Sequence, residues 1–209
     1  MDQPVSIDFI IDSIPPSKSD EVLRSWGYDL IAEYVQIIQD AHLDRASPLL
    51  ELATGSGRMA AVLSRLGFGI VTGDISLQKH ADALGRLTEA FSDRANHLLL
   101  NMKSLPFPDG GIRNIICLDT VHELEEPGLC VSELIRVHDP EGTLVLGDFN
   151  ERGFEVMQRL HRAVYGNDHP KGFLKMAETK SILQKSYDVI RDVVTPLNIT
   201  YIGTHKKSV

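Results

Sequence analysis

Ala53-Thr54-Gly55-Ser56-Gly57 stands between a short apolar run, Leu49-Leu50-Glu51-Leu52, and an amphipathic stretch from Arg58 to Leu66. Glycines at such a strand-to-helix turn let a ligand approach the backbone, and the free amides at the helix start face it. Asp74 lies 17 residues beyond Gly57, at the end of a second apolar run, Gly69-Ile70-Val71-Thr72-Gly73. A carboxylate there can accept both hydroxyls of a ribose, so turn and acid together have the chemistry of a nucleotide-cofactor site. Gly55-Ser56-Gly57-Arg58-Met59-Ala60 also satisfies the dinucleotide pattern GxGxxA, a short motif that a ligand-free turn satisfies as well. A second constellation, Asp119-Thr120-Val121-His122-Glu123, follows the apolar run Ile112 to Leu118. Ligands sit at the carboxyl ends of parallel strands. His122 is therefore placed to take a proton from a substrate oxygen or nitrogen, the competing reading being a packing role at the cofactor's edge.

The rest of the chain must position these groups. Residues 1–18, with Pro4 and Pro15-Pro16, read as an irregular arm, and Ser17 to Asp20 fits a capping box. Apolar residues from Val22 to Ile38 recur at helical spacing, with Gly27 able to split the helix. Strands at 49–52, 69–74, 97–100, 112–118 and 143–146 alternate with helices at 58–66, 77–91 and 127–137. That alternation means βαβ units and a parallel sheet buried on both faces. Helices are expected over 155–164 and 173–185, around a loop from Gly166 to Gly172. Strands at 188–194 and 197–204 are separated by Thr195-Pro196 alone, too short for a crossover, so they must pair antiparallel.

Composition narrows the function. The 209 residues carry 21 Lys+Arg against 29 Asp+Glu, a net charge of -8, which disfavours a dedicated nucleic-acid binder. Cys117 and Cys130 form no CxxC or Cys/His metal spacing, so no metal site is expected and reduced thiols point to the cytoplasm. No apolar run approaches the roughly 18 residues that span a bilayer. Met1-Asp2-Gln3 does not open a basic-then-apolar leader, so no secretory signal is expected.

Four segments in order resemble class I S-adenosylmethionine-dependent methyltransferases, especially the small-molecule branch with ubiquinone/menaquinone-type C-methyltransferases. Glu51-Leu52-Ala53-Thr54-Gly55-Ser56-Gly57 is similar to the first motif, with Ala53 where the family has its first glycine. Thr72 to Ser76 resembles the second motif, and Asn101 to Asp109 the third, where Asp is usual at Asn101. Glu133-Leu134-Ile135-Arg136-Val137 with Pro140-Glu141-Gly142 resembles the ExxRVLxPGG segment. The resemblance covers roughly 47–150 and the closing strand pair. It implies a Rossmann-like α/β fold with a seven-stranded, mostly parallel sheet in the order 3-2-1-4-5-7-6 and helices on both faces. It implies S-adenosyl-L-methionine as cofactor, with S-adenosyl-L-homocysteine as product. Backbone at Ala53, Gly55 and Gly57, with Thr54 among them, would hold the methionine part, and Glu51 would anchor the turn or reach the ammonium through water. Asp74 would bind the ribose, and Ile75, Asn101 and Met102 the adenine. Asp119 would sit where the methionine end meets the substrate.

One domain is expected over 1–209: a helical cap over 1–47, the cofactor core over 48–150, a lid over 151–185 and the antiparallel pair over 186–209. Arg152, Arg159, His161, Arg162, His169, Lys171 and Lys175 make the lid locally basic, which reads as attraction of an anionic small molecule or as a solvated face. Trp26, Tyr28 and Tyr34 from the cap, with His122 and His161, are expected to wall the acceptor pocket. A nicotinamide-dependent oxidoreductase competes through GxGxxA and Asp74, but no Tyr-x-x-x-Lys pair occurs. A nucleic-acid methyltransferase would carry an Asn-Pro-Pro-Tyr-like motif where Asp119 to His122 stands. A cofactor-binding scaffold without turnover is the remaining alternative.

Overall fold

The computed structural model describes residues 6–172 and 174–208. The cap comprises α1 (Ile7–Ser13), α2 (Lys18–Ser25) and α3 (Leu30–Ala41). The core runs β1 (Leu49–Leu52), α4 (Arg58–Arg65), β2 (Ile70–Asp74), α5 (Leu77–Leu87), α6 (Glu89–Ser92), β3 (Ala95–Leu99), β4 (Ile112–Leu118), α7 (Pro127–Val137) and β5 (His138–Phe149). Then follow α8 (Glu151–Val164), α9 (Met176–Ser186), β6 (Tyr187–Val194) and β7 (Asn198–Lys206). The sheet has seven strands in the order β3-β2-β1-β4-β5-β7-β6. β1 pairs parallel with β2 and β4, β2 with β3 and β4 with β5, while β7 runs antiparallel between β5 and β6. This is the expected order and polarity.

β1 is buried along its whole length, and one apolar cluster lies on each face of the sheet's centre. Strand order reverses between β1 and β4, where Leu52 stands opposite Cys117. Such a reversal opens a crevice at the strands' carboxyl ends. The glycine turn and Asp119 therefore emerge side by side.

Several boundaries differ from expectation. Of the expected irregular arm, residues 1–5 with Pro4 lie outside the described residues, and the rest is helical over Ile7–Ser13: Ser6 caps α1 by accepting from the Phe9 amide at 3.1 Å, and Ile10 is fully buried. Arg65 holds the end of α1, donating to the Ser13 hydroxyl at 2.8 Å and its carbonyl at 2.7 Å. The capping box at Ser17 and Asp20 forms, and Gly27, at φ +86°, divides α2 from α3. β5 extends far beyond 143–146 because it pairs with β4 on one side and β7 on the other. The expected start of α9 at Phe173 lies outside the described residues.

The Glu133-x-x-Arg136 segment has a mechanical role. Arg136 donates to the carbonyls of Leu105 and Phe107 at 3.1 and 3.0 Å, while Glu133 accepts from the Leu105 amide at 2.7 Å. One turn of α7 thereby clamps the loop between β3 and β4.

Candidate active site

The glycine turn is built from left-handed residues, with φ of +61° at Ala53, +51° at Gly55 and +77° at Gly57. Ala53 carries a side chain in a conformation that costs an L-residue about 1–2 kcal/mol. Thr54 is buried and ties the turn to β2: its amide donates to Gly73 at 3.2 Å, and its hydroxyl shares a 2.6 Å bond with that of Thr72. Asp74 reaches back, accepting from the Gly55 amide at 3.0 Å and from the Ser76 amide at 3.0 Å. Each carboxylate oxygen has a further lone pair for a ligand hydroxyl. Glu51 is buried beneath the turn and accepts from the Thr72 hydroxyl. Burial, with nearby Asp74 adding to it, pushes its carboxyl up to about 7 despite that bond.

Asp119 stands at the end of β4, itself left-handed at φ +54°. The Tyr34 hydroxyl donates to its Oδ2 at 2.5 Å, and its Oδ1 is buried without a partner. Burial pushes this carboxyl up to about 7, the Tyr34 bond and Arg58 opposing. The Tyr34 phenol rises well above its ordinary value, through burial and then the Asp119 charge. Because the folded state prefers protonated Asp119, this contribution is complete below the unfolded carboxyl value near 3.8 and is lost as pH rises through about 7. Asp119→Asn, which keeps an acceptor for Tyr34 and cannot ionise, should therefore raise Tm relative to wild type at pH 8. The gain should shrink as pH falls to 4, read by thermal unfolding across pH.

The first residue of α4 locks the cap in place. Arg58 donates to Asp20 Oδ1 at 3.0 Å from Nε and 2.8 Å from Nη2, and its guanidinium lies 6.0 Å from the centre of the Tyr34 ring. Arg86 of α5 reaches Asp20 Oδ2 at 2.7 Å. Burial would raise the Asp20 carboxyl, but Arg58, the Ser17 amide and Arg86 together hold it well below the usual carboxylate range.

His122 is buried, on a single 3₁₀ turn over Val121–Glu123. Its Nδ1 is 2.7 Å from Asp148 Oδ1 and its amide donates to Asp148 Oδ2 at 2.7 Å, while Nε2 has no hydrogen-bond partner. Burial lowers its basicity, but Asp148 more than compensates, so the imidazole is shifted upward. The mouth expected at His122 is covered. His169 stacks on it at 4.7 Å between centroids, and a Cβ at Gly172 would lie 2.5 Å from its Cα. Burial, then the neighbouring His122 and His161, lowers His169 to about 4.

The expected walls do not meet in one cavity. The Arg159 guanidinium stacks 3.9 Å from the centre of Trp26, and the Tyr28 hydroxyl accepts from Arg152 at 2.9 and 2.5 Å. These pairs join cap to α8, helped by a 2.6 Å bond between the Ser19 and Tyr165 hydroxyls. Tyr34 turns to Asp119 instead, and His161 packs outward of His169 at 4.5 Å. Arg162 pairs with Asp168 at 2.9 Å, so three of the lid's arginines are already engaged. Ile75 is 75% exposed beside Asp74. Asn101 accepts from the Lys103 amide at 2.9 Å, and Met102 is buried against Cys117. Both cysteines are free and buried.

Arg58 and Asp148 are site residues that sequence reasoning did not single out, while Asp20 and His169 enter it only as a capping residue and as part of a basic lid. Asp20 was visible as a capping residue, but its partners on α4 and α5 are tertiary. Among the described residues, no group of three or more His, Cys, Asp or Glu is arranged to hold a metal, and no helix is long and apolar enough to cross a membrane.

Residues 50–146 match the model of a family described as a methyltransferase domain. The chain is 28% identical over 111 residues to a demethylmenaquinone methyltransferase of Clavibacter sepedonicus, covering 53% of this chain and 44% of that protein. It is 25% identical over 130 residues to a ubiquinone/menaquinone biosynthesis C-methyltransferase of Shewanella pealeana, covering 59% and 51%. The matches thus span about half the length of these curated relatives. A SAM-dependent methyltransferase structure from Aquifex aeolicus superposes with a TM-score of 0.64 at 19% identity, over 95% of this chain and 98% of that one. That likeness concerns the fold.

Proposed function

We propose, for a chain whose residues 50–146 belong to the methyltransferase-domain family, the transfer of a methyl group from S-adenosylmethionine to a small-molecule acceptor. The observation that carries this reading is the buried, unpartnered Oδ1 of Asp119, at the end of β4 beside the strand that leads into the left-handed glycine turn. A buried carboxylate oxygen needs a donor or a cation, and an amino-acid ammonium supplies both. The residues present fit the cofactor elsewhere too: Asp74 has lone pairs for ribose hydroxyls, and exposed Ile75 offers an apolar face to adenine. Asn101 would meet the adenine amine, and Met102 would back the ring from within the core. When bound, the cofactor supplies an electrophilic methyl on a sulfonium.

The chain's own work is then chiefly positioning. Glu51 and Thr72 brace the turn, and Arg58 and Tyr34 orient Asp119. Asp148 fixes the His122 tautomer with Nδ1 protonated, leaving Nε2 as an acceptor for a substrate proton. For that role the 166–172 loop must lift from His122, as lids do when substrates enter. Lys171 and Lys175 of the lid favour an anionic acceptor, but Glu151 and Glu155 line the same cavity and balance that charge, so we read the acceptor as a largely apolar small molecule. Trp26, Tyr28, Arg159 and His161 act through the cap-to-α8 joint, which supports reading cap, core and lid as one working unit. Two free, buried cysteines are consistent with the cytoplasm.

The test is incubation with methyl-labelled S-adenosylmethionine and fractionated metabolite extract. Protein-dependent label in a small-molecule fraction is expected. Label confined to nucleic acid, or binding of S-adenosylhomocysteine with no transfer to any fraction, would contradict the reading.

A further inference from the structure

We infer that a cavity of about 830 Å³ between α8, the 166–172 loop and the start of α9 seats the body of the acceptor, and that it takes a ring-bearing, largely apolar small molecule. The inference deepens the methyltransferase reading and rests on it for the word acceptor. Small-molecule sites are concave, mostly apolar and about 300–1,000 Å³, with a few convergent polar groups. Here Phe149, Phe154, Ile199 and Tyr201 line the cavity with Leu174 and Met176. Exposed Glu151, Glu155, Lys171 and Lys175 also line it, two of each sign. That mixture does not repel a neutral ring system, and the aromatic walls favour one by stacking.

Its place relative to the crevice supports the assignment. Asp148 lines the cavity and also holds His122. The neighbouring residue, Gly147, accepts from the Asp119 amide at 3.1 Å, so this wall lies one strand from the carboxylate at the end of β4. His169 lines the cavity and stacks on His122, and Phe149 and Phe154 touch the same imidazole at 5.7 and 5.4 Å between centroids. Lifting the loop would join cavity and crevice across His122.

The test uses N-phenyl-1-naphthylamine, a neutral three-ring probe whose fluorescence rises in apolar sites, titrated into the full chain. Ala177→Trp fills the cavity from the exposed first turn of α9, and Glu155→Trp fills it from exposed α8. Each should weaken probe binding by at least about ten-fold, while S-adenosylhomocysteine affinity by calorimetry stays at the wild-type value and thereby reports an intact fold. Probe affinity unchanged in both variants, or no probe binding to wild type, would overturn the inference. Probe binding lost in the variants of a protein that never binds S-adenosylhomocysteine would keep the cavity as a ring site and remove the methyltransferase reading instead.

Discussion

Gly57→Ala is expected to lower folding stability by about 2–5 kcal/mol, the sum of a left-handed-backbone term and an overpacking term. Gly57 has φ +77°, and a Cβ there would lie 2.6 Å from the Ala83 Cα and 2.7 Å from its Cβ. Backbone on α5 cannot retreat as the end of a flexible side chain can, so α4 and α5 must part. For a chain of this size the loss corresponds to a fall in Tm of roughly 4–20 °C. Gly55→Ala is the internal control: its φ is +51°, but its Cβ would meet only the Ala53 carbonyl oxygen at an ordinary 3.7 Å. It should cost about 1–2 kcal/mol, the conformational term alone. Thermal unfolding followed by circular dichroism separates the two. Equal losses would mean that close approach of α5 is not why glycine stands at 57.

Asp74→Ala should weaken S-adenosylhomocysteine binding by about 1.5–3 kcal/mol, the range for hydrogen bonds to a charged acceptor. That is a rise in Kd of roughly 10- to 150-fold. The carboxylate orders the turn through the Gly55 amide and, in the proposed reading, accepts the ribose hydroxyls, so the variant loses both functions. Asp74→Asn preserves an oxygen acceptor and neutral geometry, and it should recover part of the loss. Calorimetric titration checks both. An Asp74→Ala variant with wild-type affinity would mean that the ribose is held elsewhere.

The strands, the antiparallel closing pair and the turn were legible because each depends on local pattern: β-period runs, glycines at a strand end and a two-residue connection that forbids a crossover. The strand order followed from the resemblance of the motifs to the methyltransferase family. The helix at Ile7–Ser13 was not legible, because Pro4, Pro15 and Pro16 flank it in the sequence and its anchor, Arg65, lies 52 residues from Ser13. The aromatic residues of the cap were recognised as important, but not their partners. Trp26 and Tyr28 read as pocket walls, whereas Arg159 and Arg152 hold them in a joint between cap and lid. The same pairing engages two guanidinium groups that looked free along the chain, without neutralising them. At His122 the type and strand-end position were readable, while its cover was not: His169 and Gly172 reach it across about fifty residues, through a loop with no periodic pattern. The Asp148 partner was hidden for a similar reason, since a carboxylate at a strand end has no local signal until the adjacent strand is known.

Calorimetric titration of the full chain with S-adenosylhomocysteine, beside NAD and NADP, tests the central claim most directly. A saturable one-to-one isotherm with S-adenosylhomocysteine and none with either nicotinamide nucleotide is the predicted result. Binding of a nicotinamide nucleotide with no response to S-adenosylhomocysteine would contradict it and return the glycine turn and Asp74 to the chemistry of hydride transfer.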